Sequence, residues 1–125
     1  ASANGGISAK DIVAKAIEGA EDPRVIVLEK YTPWKKTVHA LSEEALYMIY
    51  PSQTGQWRIQ TVPIEPGSFE DRKSLPKQWA GLSDIELEEG TGIDDAMFCH
   101  NGLFIAGAES FESAMKMATI ALKEA

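Results

Sequence analysis

Apolar positions recur along the chain with two periods, and the switches between them predict its elements. Ile12, Val13, Ala16, Ile17 and Ala20 fall at helical spacing. Ser8 reads as their N-cap, Asp11 takes the capping-box position, and Ile7 and Ile12 are spaced as a hydrophobic staple. "EDP" ends that helix. "RVIVLEK" is apolar on both faces, the pattern of a central strand. "TPWKKTVHALS" reads as a second helix, with Thr32 as cap, Pro33 at the first helical position, and Trp34, Val38 and Leu41 along one side.

"ALYMIY" and "QWRIQTV" read as strands joined by the turn residues "PSQTG". On the second, Trp57, Ile59 and Thr61 point one way and Arg58 and Gln60 the other. "PIEPGSFEDRKSLP" reads as an ordered, proline-rich loop, and "PKQWAGLSDIELEEG" as one short helix or two. "AMFCH" and "LFIAG" flank Asn101-Gly102, a strong hairpin signal. In the closing helix, Phe111, Ala114, Met115, Ala118, Ala121 and Leu122 make the expected buried stripe. The order α-β-α-β-β-α-β-β-α predicts an α+β fold, a mixed sheet of about five strands with helices packed on it. Residues 1–7 are expected to be disordered or left over from cloning, and residues 8–125 to form a single α+β domain.

The chain has 125 residues, enough for one hydrophobic core. A net charge of −7 disfavours non-specific wrapping of duplex DNA and leaves room for contact with a few phosphates. One cysteine excludes an intrachain disulfide and a four-cysteine zinc site. The apolar runs are too short to span a bilayer. No secretory leader opens the chain, so a cytoplasmic location without membrane attachment is expected.

A two-residue turn at Asn101-Gly102 would set Cys99 opposite Phe104 and His100 opposite Leu103, on opposite faces. They cannot then form a nucleophile–base dyad. Cys99 would share a core face with Met97, Phe104 and Ala106. His100 would lie with Phe98, Leu103 and Ile105 at the hairpin tip, as a surface residue or a ligand contact. His39 has no second histidine at i+4, so this chain alone is not expected to build a transition-metal site. Gly107 would leave the strand and Ser110 would cap the last helix, whose free amides attract an anion. Glu109 and Glu112 would instead repel a phosphate and satisfy the dipole themselves.

Charge is segregated. Arg58, Arg72, Lys73 and Lys77 share a region with Trp57 and Trp79, whereas the charged residues of 84–95 are all acidic: Asp84, Glu86, Glu88, Glu89, Asp94 and Asp95. Arg58, beside Gln60, could hold a phosphate or carboxylate with both arms, or pair internally with Asp71 or Glu70.

"PWKKTVHALS", "GQWRIQTVPIEPGSFEDRKSLPKQWAGLSDIEL", "TGI" and "MFCHNGLFIAGAES" closely resemble the C-terminal part of the melanocyte-proliferating-gene family. That family is catalogued as an uncharacterised metal-dependent protein hydrolase, is similar to DHH phosphoesterases, and includes members described as 3′–5′ RNA exonucleases. The resemblance covers about residues 9 to 123. It implies a larger N-terminal catalytic domain as partner, carrying the Asp-His-His metal signature and typically Mn²⁺, none of which is in this chain. It implies a lid-like domain that binds RNA or a short oligonucleotide and has no catalytic residue of its own. Phe98, His100, Gly102, Phe104, Ile105, Ala106 and Gly107 fit the family's last-hairpin pattern. By resemblance, Arg58, Arg72, His100, Asn101, Gly107 and Ser110 become substrate contacts. Glu109 departs from members that carry a basic residue there. The alternative is a stand-alone module that binds a nucleotide or a protein. A homodimer through a strand edge or the Trp34 helix is left open.

Overall fold

The computed structural model describes residues 9–123 apart from 66 and 69. Ile7 and Ser8, the expected staple and cap, lie outside the described residues. Helix α1 spans Ala9–Glu18, β1 Val25–Val27, α2 Lys35–Leu41, β2 Tyr47–Pro51 and β3 Trp57–Thr61. A 3-10 turn follows at Lys77–Trp79, then α3 at Asp84–Thr91, β4 at Ala96–Cys99, β5 at Ile105–Ala108 and α4 at Phe111–Lys123. The element order is the one the periodicity predicts, and "PKQWAGLSDIELEEG" resolves into two pieces.

The five strands form one mixed sheet in the order β1-β2-β3-β5-β4. Only β1 and β2 are parallel. "RVIVLEK" is therefore an edge strand, not a central one. It is apolar on both faces because the sheet is covered on both: Val25 belongs to one core cluster, Ile26 and Leu28 to the other. The first cluster joins Tyr47, Ile49, Ile59, Ala106 and Cys99 to Leu87 of α3, Trp79, and Ala114, Met117, Ala118 and Ala121 of α4. The second joins Met48, Tyr50 and Val62 to Val13 of α1 and to Trp34 and Val38.

Two helical expectations shift by about one residue position or one face. Helix α2 starts at Lys35, and Trp34 takes the N-cap position without any side-chain cap. Its indole is 2% exposed. Burying so large a side chain outweighs a capping bond, since even a Leu or Phe gains roughly 1.5–3 kcal/mol against about 1 for a cap. Thr32 instead donates to the Lys30 carbonyl. On α4 the buried side centres on Ala114, Met117, Ala118 and Ala121. Phe111 remains 38% exposed and meets Trp57 edge-on at 5.0 Å.

The last hairpin has a wider loop than a two-residue turn. Its ladder ends at Cys99 opposite Ala106. His100 N then donates to Ile105 O, and Leu103 N to His100 O, each at 2.9 Å. The positive φ falls on Leu103, at 60°, not on Asn101 or Gly102. Neighbouring segments hold the wide loop: Leu75 N donates to Leu103 O at 3.0 Å and Thr61 N to Phe104 O at 2.9 Å. Cys99 still faces the core and is 3% exposed. Phe104 does not share that core; it is 39% exposed and packs on the His100 ring at 4.5 Å. The outer edge of β4 is covered by residues 81–83, through Gly81 N to Cys99 O, Cys99 N to Leu82 O, and a bridge of Ser83 to Phe98.

Candidate functional site

One row of paired residues crosses the sheet: Tyr50 opposite Arg58, Arg58 opposite Gly107, and Gly107 opposite Phe98. Residues paired this way share a face, here the face turned away from α4. Helices α1 and α2 bring their apolar residues to the β1 and β2 side of that face. On the β3-β5-β4 side, Arg58, Gln60, Ile105 and Phe98 remain partly exposed.

Gly107 lies buried within β5 rather than leaving the strand, which corrects the sequence expectation. A Cβ there would stand 2.5 Å from Phe98 Cε1, so the glycine lets the ring rest on bare backbone. Arg58 Cζ lies 5.3 Å from the centroid of that ring, a cation–π distance. The pair considered between Arg58 and Asp71 or Glu70 does not form. Burial raises the pKa of Asp71, opposed by a hydrogen bond from Thr61 and the charge of Lys35. The Arg58 charge reaches Tyr50: burial and Tyr31 raise that phenol's pKa, and Arg58 pulls it down.

The neighbouring row carries Gln60 opposite Ile105, with His100 beside Ile105. Tyr50 donates its hydroxyl to Gln60 Oε1 at 2.8 Å. His100 Nδ1 accepts from Gly102 N at 2.9 Å. The neutral imidazole therefore carries its proton on Nε2, a donor on an exposed side chain. The Asn101 amide lies over Gly81.

The start of α4 is filled by the chain itself. Ser113 N donates to Ser110 Oγ at 3.2 Å, and the Ser113 hydroxyl donates to Asp95 Oδ1. Burial alone would raise the Asp95 pKa. Hydrogen bonds from Ser113 and Ser110, with Lys116 nearby, outweigh it and hold that carboxyl below the ordinary range. The carboxylate held by these hydroxyls sets a negative charge beside the first turn of α4, which the helix dipole favours and which opposes an external anion. Ser110 serves as the cap.

Arg72 lies apart from the Arg58 row. Its Nη1 donates to Ser42 O at 2.8 Å and Ala45 O at 2.9 Å, and its backbone N to Val62 O at 2.8 Å. It ties the connection before β2 to the end of β3. Of the six residues singled out from sequence, the fold brings Arg58, His100 and Gly107 to one face and sets Asn101 beside them. Arg72 and Ser110 are elsewhere. Gln60 lies beside Arg58 as strand alternation predicts, and Tyr50 and Phe98 join the surface from neighbouring strands. Strand alternation already pairs Phe98 with His100, but only the strand order places it beside Arg58.

Residues 2–122 match the model of an uncharacterised protein family, UPF0160, which bears the name MYG1 exonuclease. The chain belongs to the MYG1 family. A MYG1 protein of Schizosaccharomyces pombe is 37% identical over 122 residues, covering 93% of this chain and 37% of that protein. A MYG1 protein of Saccharomyces cerevisiae is 34% identical over 126 residues, covering 93% of this chain and 37% of its own length. The protein named MYG1 exonuclease in Homo sapiens is 40% identical over 98 residues, 74% of this chain and 26% of that protein. The chain thus spans little more than a third of the MYG1 relatives it matches, or less. No solved structure matches it. Among the described residues, no helix is long and apolar enough to cross a membrane.

Proposed function

We propose that this chain is the lid-like, substrate-binding domain of a DHH-type, metal-dependent phosphodiesterase of the MYG1 family, a 3′–5′ exonuclease acting on RNA or a short oligonucleotide, and that it is not catalytic alone. Membership in a family with relatives named exonucleases supports the reaction class. The observation that carries the domain role is Arg58. It stands on a partly open sheet face, over the Phe98 ring, with no acidic partner among the described residues. A guanidinium so placed offers its edge donors to a phosphate, in charge-assisted bonds. His100 Nε2–H adds a second donor at the same face. These groups would position the phosphodiester and stabilise its charge while the N-terminal catalytic domain acts on it.

The DHH resemblance implies Mn²⁺, and the residues here do not fit it. No group of three or more His, Cys, Asp or Glu is placed to hold an ion among the described residues. His39 lies on α2, His100 Nδ1 is taken by its own turn, and Asp95 is held by Ser113. No step is assigned to a metal in this chain.

In the family-length protein, Arg58→Ala is expected to lower kcat/KM on single-stranded RNA at least about tenfold, the loss of a charge-assisted contact of roughly 1.5–3 kcal/mol. The purified 125-residue chain supplied with Mn²⁺ is expected to hydrolyse neither RNA nor a phosphodiester reporter. Metal-dependent turnover by that chain, abolished by His100→Ala, would overturn the proposal.

A further inference from the structure

We infer that Phe98 is a positioning residue: its ring, seated on the bare backbone of Gly107, holds the Arg58 guanidinium with its edge donors turned to a phosphate of the bound strand. The inference rests on the reading of Arg58 as a phosphate contact and adds what makes that contact effective.

Three facts converge on it. Arg58, Gly107 and Phe98 are consecutive members of one cross-strand row. Any side chain at 107 would enter the ring, with a Cβ 2.5 Å from Cε1 and 3.1 Å from Cδ1. The ring therefore lies toward Arg58 across β5, and the guanidinium meets it at 5.3 Å. An arginine has a long, flexible stem and loses freedom when it binds. A cation–π contact restrains the guanidinium beforehand without using its N–H donors in an ion pair. No carboxylate competes for those donors among the described residues. An ion pair would also have fixed the arginine, but would have spent its donors and cancelled its charge.

The test compares Phe98→Leu, Phe98→Tyr, Gly107→Ala and Arg58→Ala in this chain, with thermal unfolding to establish that each folds. Affinity for a short single-stranded oligouridylate is measured by anisotropy. The side-chain Nε–H resonance of Arg58 is followed by NMR without ligand, to report the contact of ring and guanidinium itself, and rescue of binding by the ring-keeping variant separates positioning from general packing. Phe98→Leu is expected to weaken binding about threefold to tenfold, the range of a partly desolvated cation–π contact, and to abolish the ring-current shift at Arg58. Phe98→Tyr, which keeps the ring, is expected to restore both. Gly107→Ala, where folded, should match Phe98→Leu. If Arg58→Ala weakens binding but Phe98→Leu binds as the wild type does, the positioning role is overturned and the phosphate contact stands. If Arg58→Ala itself changes nothing, the phosphate contact fails and the positioning role with it. An Arg58 resonance identical in wild type and Phe98→Leu also overturns the inference.

Discussion

Ser113 donates its hydroxyl proton to the Asp95 carboxylate at the first turn of α4, so the helix start is occupied from within. Asp95 has its pKa lowered in the folded state from an ordinary value of 3.8. A depressed carboxyl stabilises the fold above its unfolded pKa, and that contribution is lost as pH falls through the lower folded value. Asp95→Asn is therefore expected to lower the Tm at neutral pH and to flatten the acid limb of stability below about pH 4. Urea unfolding across the acid range checks this. Superimposable curves for wild type and variant would mean that Ser113 does not hold a charged carboxylate.

Cys99 should be chemically silent. It is 3% exposed, and burial pushes its thiol up to about 11. Little thiolate exists at pH 8, and thiolate is the reactive form. A thiol reagent is expected to label the native chain only through unfolding and the denatured chain at once. Cys99→Ala should cost on the order of 1 kcal/mol and leave oligonucleotide binding unchanged.

Gly81 has φ +72° and lies directly under the Asn101 amide. Gly81→Ala is expected to destabilise by at least about 1–2 kcal/mol, the cost of a left-handed residue with a Cβ, with the clash of that Cβ on Asn101 Oδ1 added to it. Asn101→Gly in the same chain should recover only the part due to contact between the two side chains, which a double-mutant cycle measures. Full recovery would show that backbone strain at 81 is negligible.

The two arginines singled out from sequence should separate by experiment. Arg72 gives Nη1 to two carbonyls across the connection before β2, so Arg72→Ala should cost roughly 1.5–3 kcal/mol of stability. Arg58→Ala removes a partly exposed group with its cation–π contact and should cost no more than about 1 kcal/mol of stability. Thermal unfolding of both variants decides. The reverse order of Tm would exchange their roles.

The periodicity gave the element order because each switch between periods 3.6 and 2 is local. The corrections concern what is not local. The Asn101-Gly102 signal placed the turn centre, but Leu75 and Thr61, distant in sequence, hold the loop open and move the left-handed residue to Leu103. β1 read as central because two-faced burial looks the same at a covered edge. Arg58 was visible as a polar residue on a half-buried strand. Its partner Phe98 was not, because β5 enters between β3 and β4 only in the finished sheet. The bonds of Arg72 to Ser42 O and Ala45 O are not legible in sequence, because a basic side chain carries no mark of the carbonyls it will meet.

The most direct test of the binding role is the salt dependence of oligonucleotide affinity for wild type and Arg58→Ala. Each phosphate contact to a single strand contributes about −0.7 to the slope of log K against log salt. Wild type is expected to bind single-stranded RNA with a clear negative slope. Arg58→Ala should bind at least about tenfold more weakly, with the slope reduced by about one contact, while the protein stays folded at the assay temperature. Equal affinity and equal slope for the two folded proteins would contradict the account.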